Sequence, residues 1–276
     1  MKIRNLCSLV LLWVTALGVF AQLSAPKLGM ARYSDRTVHP IYGLESNVLV
    51  NDQLLSDADA ISFSDLGGLV SIAGHIQLLN SSGAVVAQYN SGEQSPVLNI
   101  DGALATAVGW LPSRSSIVYW NGQSFVATEI ARGDLPGTVT SVQLINSGSA
   151  KLLASDPAGN VFAVNISLGL GQITSVNLLP GVKGPAFLQY SFVVSHDADG
   201  LHIEASNGAV RTLPLAAESV TFERMGTDWV HIASAGTAQD WALHLNTTAL
   251  HLSQLPAPRD FERLIARPIE PKKVAE

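Results

Sequence analysis

Cysteine is almost absent from this sequence of 276 residues. The single cysteine, Cys7, lies near the start of an apolar run at the N-terminus. Beyond that run the chain has no thiol that could form a disulfide, act as a nucleophile or bind a metal. A chain without such cross-links is stabilised by its own hydrophobic core, and this one is long enough to form one.

Charged residues are also scarce, at 14% of the sequence. Residues 22–255 contain nine basic and eighteen acidic side chains, a net charge of −9. Residues 256–276 contain five basic and four acidic side chains, a net charge of +1. The acidic body argues against nucleic acid or an anionic membrane as a partner.

Several catalytic signatures are missing from the sequence. It contains no Gly-x-Ser-x-Gly elbow, no Walker loop, no Gly-x-Gly-x-x-Gly and no His-Glu-x-x-His. Their absence argues against the common enzyme classes that carry these motifs. An active site assembled from separate segments remains open.

The N-terminus has the pattern of an export signal. Lys2 and Arg4 precede an apolar run over 6–20, and Val19-Phe20-Ala21 offers small residues at the positions that a signal peptidase reads. The pattern predicts a signal peptide over 1–21, with an uncleaved membrane anchor as the alternative, although the run is short for a membrane span. We therefore expect export to the periplasm or the extracellular space, with no membrane span in the mature chain.

Both flanks of the predicted body are polar or rich in proline. Residues 22–37 are predicted to form a flexible lead-in. In the segment 256–276, Pro268 and Pro271 stop any helix that begins at 260–266. This segment is predicted to be a mobile C-terminal tail.

The most regular part of the body is residues 190–215. An apolar run is followed by an Asp-Gly turn at 199–200 and by strict apolar and polar alternation over 201–206. The Asn-Gly pair at 207–208 is a strong hairpin signal, and another apolar run follows it. Together with the strand upstream, this pattern predicts a meander of four antiparallel strands.

The same order of strands recurs at intervals of about 40 residues. The third strand of each unit begins near Ile76, Ser116, Asn160, Leu201 and Asp240. A repeat of this length with four short strands is characteristic of a propeller blade. The predicted blades lie at about 60–90, 97–131, 138–180, 185–215 and 219–255.

These repeats resemble the β-propeller repeat group of secreted bacterial proteins, with degenerate NHL-like, YVTN-like or WD40-like blades. The resemblance covers roughly residues 40–255, but the Trp-Asp and Gly-His pairs of WD40 blades are not in register here. We expect an all-β chain whose residues 38–255 form a β-propeller of five four-stranded blades. Residues 38–55 are predicted to close the ring. The alternatives are six blades, one of them partial, or a β-sandwich.

One loop offers a candidate ligand site. His196, Asp197 and Asp199 place an imidazole and two carboxylates within four positions, and such oxygen ligands suit a hard divalent cation. The same Asp-x-Asp-Gly pattern is also ordinary turn chemistry. We favour the turn and expect neither a metal nor another cofactor, but keep His196, Asp197 and Asp199 as the candidate ligand-binding residues.

Other chemistry-bearing residues are spread along the predicted strands. Histidines that could converge between blades are His202, His231, His244 and His251. Tryptophans expected to pack between blades, with sugar or protein binding as the alternative, are Trp110, Trp120, Trp229 and Trp241. Carboxylates from which a glycosidase pair could be drawn are Asp101, Glu129, Asp134 and Glu218.

The function that we expect is that of an exported, monomeric, non-catalytic propeller. It would bind a protein or a carbohydrate at the cell envelope or outside the cell. The enzyme alternative is a propeller glycosidase or lyase that acts on an extracellular polysaccharide. A structural repeat domain that docks onto a larger envelope complex is a third hypothesis. The fold alone decides none of these, because propellers host many functions.

Overall fold

The computed structural model describes residues 25–44, 47–102, 104–246 and 250–258. Their strands form six antiparallel sheets, arranged as the blades of a β-propeller. The all-β propeller predicted from the sequence is therefore confirmed, but the count of five blades was wrong. The predicted signal peptide and all but the first three residues of the predicted tail lie outside the described residues.

Blade 1 is a sheet of three strands, and blades 2 to 6 have four strands each. Blade 1 consists of β1 (Lys27–Arg32), β2 (Val38–Leu44) and β3 (Asn47–Val50). Blade 2 consists of β4 (Ala58–Ser64), β5 (Gly67–Ile72), β6 (His75–Asn80) and β7 (Val85–Asn90). Blade 3 consists of β8 (Val97–Asn99), β9 (Val108–Leu111), β10 (Ser116–Trp120) and β11 (Phe125–Glu129).

The remaining blades continue in chain order. Blade 4 consists of β12 (Thr138–Asn146), β13 (Ser149–Ser155), β14 (Asn160–Ser167) and β15 (Gln172–Lys183). Blade 5 consists of β16 (Ala186–Gln189), β17 (Phe192–Asp197), β18 (Gly200–Ala205) and β19 (Val210–Leu213). Blade 6 consists of β20 (Val220–Arg224), β21 (Trp229–Ser234), β22 (Gln239–Leu245) and β23 (Leu250–Leu255). Two short 3-10 helices, Leu104–Thr106 and Arg132–Asp134, lie in the connections.

The hairpins of blade 5 follow directly from the local sequence. Asp197 pairs with Gly200 across a two-residue turn. In the next hairpin, Gly208 has a φ of 78° and donates its N–H to the carbonyl of Ala205 at 2.9 Å. Glycine adopts this conformation without the steric cost that a Cβ would add. The Asn-Gly signal at 207–208 is thus confirmed as a turn.

The hydrophobic core lies between blades as well as within them. One cluster joins blades 3 and 4, and its members include Val108, Trp110, Ile117, Val142, Leu152 and Val164. Another joins blades 5 and 6, and its members include Phe187, Val194, Ile203, Val230, Ile232 and Trp241. Full burial of each such side chain contributes about 2 kcal/mol. Strands covered on both faces explain why so few charged residues occur along them.

Side-chain hydrogen bonds join the innermost strands of neighbouring blades. The N–H groups of Ile100 and Leu188 donate to the hydroxyls of Ser62 and Ser141 at 3.0 Å. The amides of Asn99 and Gln189 donate to the carbonyls of Val142 and Thr227 at 2.8 Å. These bonds satisfy buried backbone groups that the sheets leave unpaired along their inner edges.

The innermost strands of blades 2 and 3 run in the same direction. Ser62 bonds to Ile100, and two positions further on Ser64 donates to the carbonyl of Gly102 at 2.9 Å. The two partners advance together along the chain, so β4 and β8 run parallel. The loops that follow β4 and β20 also meet, because the N–H of Asp65 donates to the hydroxyl of Thr227 at 3.3 Å.

Blade 1 departs from this pattern. The N–H of Met30 donates to the carbonyl of Met225 at 2.8 Å, and Arg32 pairs with Glu223 at 2.8 Å. As the residue numbers rise along β1, those of the partners fall, so β1 passes β20 in the opposite direction. Blade 1 is a reversed three-stranded sheet between blades 6 and 2.

This arrangement corrects two expectations from the sequence. The segment 38–55 does not complete the last blade, because β2 and β3 pair with β1 in a sheet of their own. The predicted lead-in, 22–37, contains β1, whose Met30 and Ala31 are buried. The sequence of β1 is too short and too mixed in polarity to signal a strand alone. It becomes one because blades 2 and 6 bury it.

Candidate functional site

The loop predicted to bind a ligand is engaged in its own hairpin. The carboxylate of Asp197 accepts the N–H of Asp199 at 2.9 Å and lies 2.7 Å from Nε2 of His202. Hydrogen bonding to His202 and to this N–H lowers the pKa of Asp197. His196 is buried, with Nε2 at 3.2 Å from the carbonyl oxygen of Leu215. Turn chemistry accounts for these contacts, and ligand binding by His196, Asp197 and Asp199 stays a prediction.

The other candidates from the sequence are dispersed. Trp110, Trp120, Trp229 and Trp241 are all buried, as expected for packing residues. Glu129, Asp134 and Glu218 are exposed, whereas Asp101 is half-buried. Among the described residues, no group of three or more His, Cys, Asp and Glu side chains is arranged to hold a metal ion.

A cluster of polar side chains occupies the centre of the propeller. Nη1 of Arg224, on the innermost strand of blade 6, donates to the carbonyl of Ile100 at 2.8 Å and to Oδ1 of Asp101 at 2.7 Å, next to blade 3. The amide of Gln143, in blade 4, donates to Oδ2 of Asp101 at 2.9 Å. The Arg224 guanidinium carbon lies 4.5 Å from the centre of the Tyr190 ring, next to blade 5. We call Asp101, Gln143, Tyr190 and Arg224 the central cluster.

Burial controls the chemistry of the central cluster. Arg224 has an exposed fraction of 0%, so its charge depends on Asp101 and on the face of Tyr190. Burial also raises the pKa of the Tyr190 hydroxyl, against the opposing effect of Arg224. Both oxygens of the Asp101 carboxylate are occupied. The cluster therefore links four blades and offers no uncommitted carboxylate for proton transfer.

A second group of polar side chains lies between blades 1 and 6. Arg32 pairs with Glu223 at 2.8 Å, Glu223 lies 3.8 Å from Nδ1 of His231, and Nε2 of His231 lies 2.9 Å from Asp240. Burial lowers the pKa of His231, but hydrogen bonding to Asp240 and the charge of Glu223 outweigh it, so the pKa is raised. Burial raises the pKa of Glu223, but the charge of Arg32 outweighs it, so the pKa is lowered. Each of these four side chains therefore has at least one polar or charged partner within the group, next to the sheet of blade 1.

Arg32 also lines a polar cleft of about 640 Å³ between blades 1 and 2. We call it the arginine cleft. Its lining residues are Arg32, Arg36, Asp59, Ala73, Gly74, Gly92, Gln94 and Ser95. Arg36 donates to the carbonyl of Asp57 at 2.9 Å and to the carboxylate of Asp59 at 2.7 Å. The cleft thus brings two arginine side chains to an open surface of the propeller.

Neither the central cluster nor the arginine cleft was predicted from the sequence. One signal was present: Val220, Phe222 and Arg224 alternate along a single strand, which places an arginine on the buried face. Arg32 and Arg36 gave no such signal, because they belong to the segment assigned to a flexible lead-in. Their role depends on β1 of blade 1, a strand that was not predicted from the sequence.

The chain matches no protein-family model and no curated protein. It is similar to the solved structure of hydrazine synthase from Kuenenia stuttgartiensis, with 10% identity, 84% of this chain and 80% of that chain covered, and a TM-score of 0.42. It is also similar to the structure of apo AztD from Citrobacter koseri, with 13% identity, 86% of this chain and 72% of that chain covered, and a TM-score of 0.43. A third similar structure is BamB from Moraxella catarrhalis, with 11% identity, 84% of this chain and 99% of that chain covered, and a TM-score of 0.36. At these identities and TM-scores the likeness does not extend to function.

The fold and the central cluster define the class of this protein as a six-bladed β-propeller. Its particular assignment to an NHL-like, YVTN-like or WD40-like group stays a prediction. Across the described ranges of the chain, no helix is both long and apolar enough to span a membrane.

Proposed function

We propose that this protein is an exported, monomeric, non-catalytic propeller that binds a carbohydrate or a protein at the cell envelope or outside the cell. The observation that supports this proposal is the bonding of Asp101. Its two carboxylate oxygens accept hydrogen bonds from Arg224 and Gln143, which hold the side chain in place at the centre of the ring.

The bonding of Asp101 disfavours the enzyme alternative. A glycosidase uses two carboxyl groups on either side of the scissile bond, and one of them must exchange a proton. Both carboxylate oxygens of Asp101 are already bonded, one to Arg224 and one to Gln143. The exposed residues Glu129, Asp134 and Glu218 lie in different blades or connections. Binding needs no such pair.

The binding function can be tested on arrays of neutral and acidic oligosaccharides and of peptides. The purified exported protein is expected to bind members of one class saturably, and mass spectrometry should find each bound compound unchanged. Shortened oligosaccharides or unsaturated elimination products would instead establish a glycosidase or a lyase. Absence of binding to every compound would also contradict the proposal.

Export is tested separately. Expressed in a bacterial host, the chain is expected to be found in the periplasm or the medium, with an N-terminus that begins at Gln22. Retention of residues 1–21 on a membrane-bound product would instead establish the anchor alternative.

A further inference from the structure

We propose that the arginine cleft binds the carboxylate of an acidic saccharide, such as a uronate. This inference rests on the proposed binding function and names a ligand for it. It is carried by the arginines of the cleft and the donors that they present, the backbone that forms the floor of the cleft, and the polarity of its walls.

Three arginines lie at or beside the cleft. Residues 22–255 contain nine basic side chains, and Arg32, Arg36 and Arg114 are three of them. Arg32 and Arg36 line the cleft, and Nη2 of the exposed Arg114 lies 3.3 Å from the place that a Cβ on Gly92 would occupy. Glu223 and Asp59 offset the charges of Arg32 and Arg36, so the cleft offers guanidinium donors rather than a large excess of positive charge.

The two lining arginines are held in place by acidic side chains. Glu223 contacts Nε and Nη2 of Arg32, and Asp59 contacts Nη2 of Arg36. Within the described part of the chain, these contacts leave Nη1 of Arg32 and both Nε and Nη1 of Arg36 available as donors. A guanidinium that is already positioned loses little freedom when it binds a carboxylate, and each available N–H can donate to a carboxylate oxygen.

The floor of the cleft is backbone. Gly74 and Gly92 have φ values of 77° and 61°, and a Cβ on Gly74 would lie 3.4 Å from the Cα of Gly92. The buried hydroxyl of Ser91 donates to the carbonyl of Gly74 at 2.8 Å, and the N–H of Gly92 donates to the same carbonyl at 2.9 Å. The two glycines therefore form a fixed surface without side chains, on which a ligand can lie close to the chain.

The walls of the cleft favour a ligand rich in hydroxyl groups. Gln94 and Ser95 are exposed polar side chains, the carboxylate of Asp59 is an acceptor, and Ala73 is the one apolar side chain among the described lining residues. Peptide binding commonly uses a buried aromatic or aliphatic anchor, for which this lining has no counterpart. A volume of about 640 Å³ lies within the usual range for small-molecule sites.

The test is isothermal titration calorimetry of the exported protein with D-galacturonate, D-galactose and succinate at low ionic strength. Galacturonate is expected to bind at least about tenfold more tightly than galactose, because galactose lacks the charged partner of the arginines. Succinate is expected to bind more weakly than galacturonate, because it lacks the hydroxyl groups. The proposal would be overturned if galacturonate and galactose bound with equal affinity, or if galacturonate and succinate did.

Three variants locate the binding site. Arg36→Gln should weaken galacturonate binding about tenfold, and Ser95→Trp should abolish it by filling the cleft without touching an ion pair. Arg211→Gln, on the exposed outer strand β19, is the matched loss of charge and should leave the affinity unchanged. If Arg36→Gln fails to fold, Ser95→Trp decides the question alone. A Ser95→Trp protein that binds as the wild type does would contradict the proposal.

The failure of this inference differs from the failure of the proposed function. If the Ser95→Trp protein still binds a compound on the arrays, the ligand binds outside the arginine cleft and the proposed binding function stands. Absence of binding on every array would remove both.

Discussion

Arg224 and Asp101 form an ion pair of 2.7 Å across the centre of the propeller, although 123 positions separate them in the chain. Arg224 belongs to blade 6 and Asp101 follows the innermost strand of blade 3. Because the arginine is fully buried, the carboxylate and the ring of Tyr190 replace the water that the charge has lost. The pair ties distant parts of the ring together, and its loss should affect the whole fold.

Arg224→Met is expected to lower the free energy of unfolding by about 3 kcal/mol, because it removes the bonds to Ile100 and Asp101. Arg211→Met, at an exposed site, is the control and should change it by less than about 0.5 kcal/mol. Urea unfolding followed by tryptophan fluorescence measures both. Equal effects of the two substitutions would show that the central pair has no special role.

Ser141→Ala is expected to lower the free energy of unfolding by about 1–3 kcal/mol. The buried hydroxyl of Ser141 accepts the N–H of Leu188, and alanine would leave that donor without a partner. Ser147→Ala, in an exposed turn of the same blade, should be nearly neutral. Urea midpoints that coincide for the two variants would argue against the role of bonds between innermost strands.

Gly226→Ala is expected to separate blade 1 from blade 6. A Cβ at this position would collide with the carbonyl oxygen of Leu28. The reversed strand β1 must then move away, at a cost of about 1–3 kcal/mol. Limited proteolysis should cut within residues 25–50 faster in this variant than in Gly169→Ala, where the added Cβ meets open space. Equal cleavage rates would contradict the close approach of the two strands.

The stability of the fold is expected to fall as the pH rises through the titration of His231. Its pKa is raised above the ordinary value of 6.5 by Asp240 and Glu223, so the charged imidazole stabilises the folded state. This contribution is complete below the unfolded-state pKa and is lost as the pH rises through the folded-state pKa.

Urea unfolding at pH values from about 6 to 9 measures this loss. His231→Gln should be less stable than the wild type at the lower end, and the gap should narrow towards the upper end. Gln88→Ala, at an exposed site on the outer strand β7, removes no titratable group and should show a difference that does not change with pH. A gap between the wild type and His231→Gln that widens with pH would contradict the raised pKa.

The chain sequence by itself determined the local elements and the repeat. Alternation over 201–206 and the Asn-Gly pair at 207–208 depend only on side-chain period and turn chemistry, and both are present as predicted. The recurrence of four strands about every 40 residues was enough to predict a propeller, because sheets of this kind bury both faces only by stacking.

The tertiary structure alone decided the number of blades, the direction of blade 1 and the sites. β1 is a strand because blades 2 and 6 cover it, and no local signal records that burial. Packing between blades brings Asp101 to Arg224, and separately assembles the arginine cleft. A periodic sequence pattern does not encode contacts between residues so far apart in the chain. The local sequence specifies where most strands and turns form, and the closure of the ring specifies which side chains from different blades come into contact.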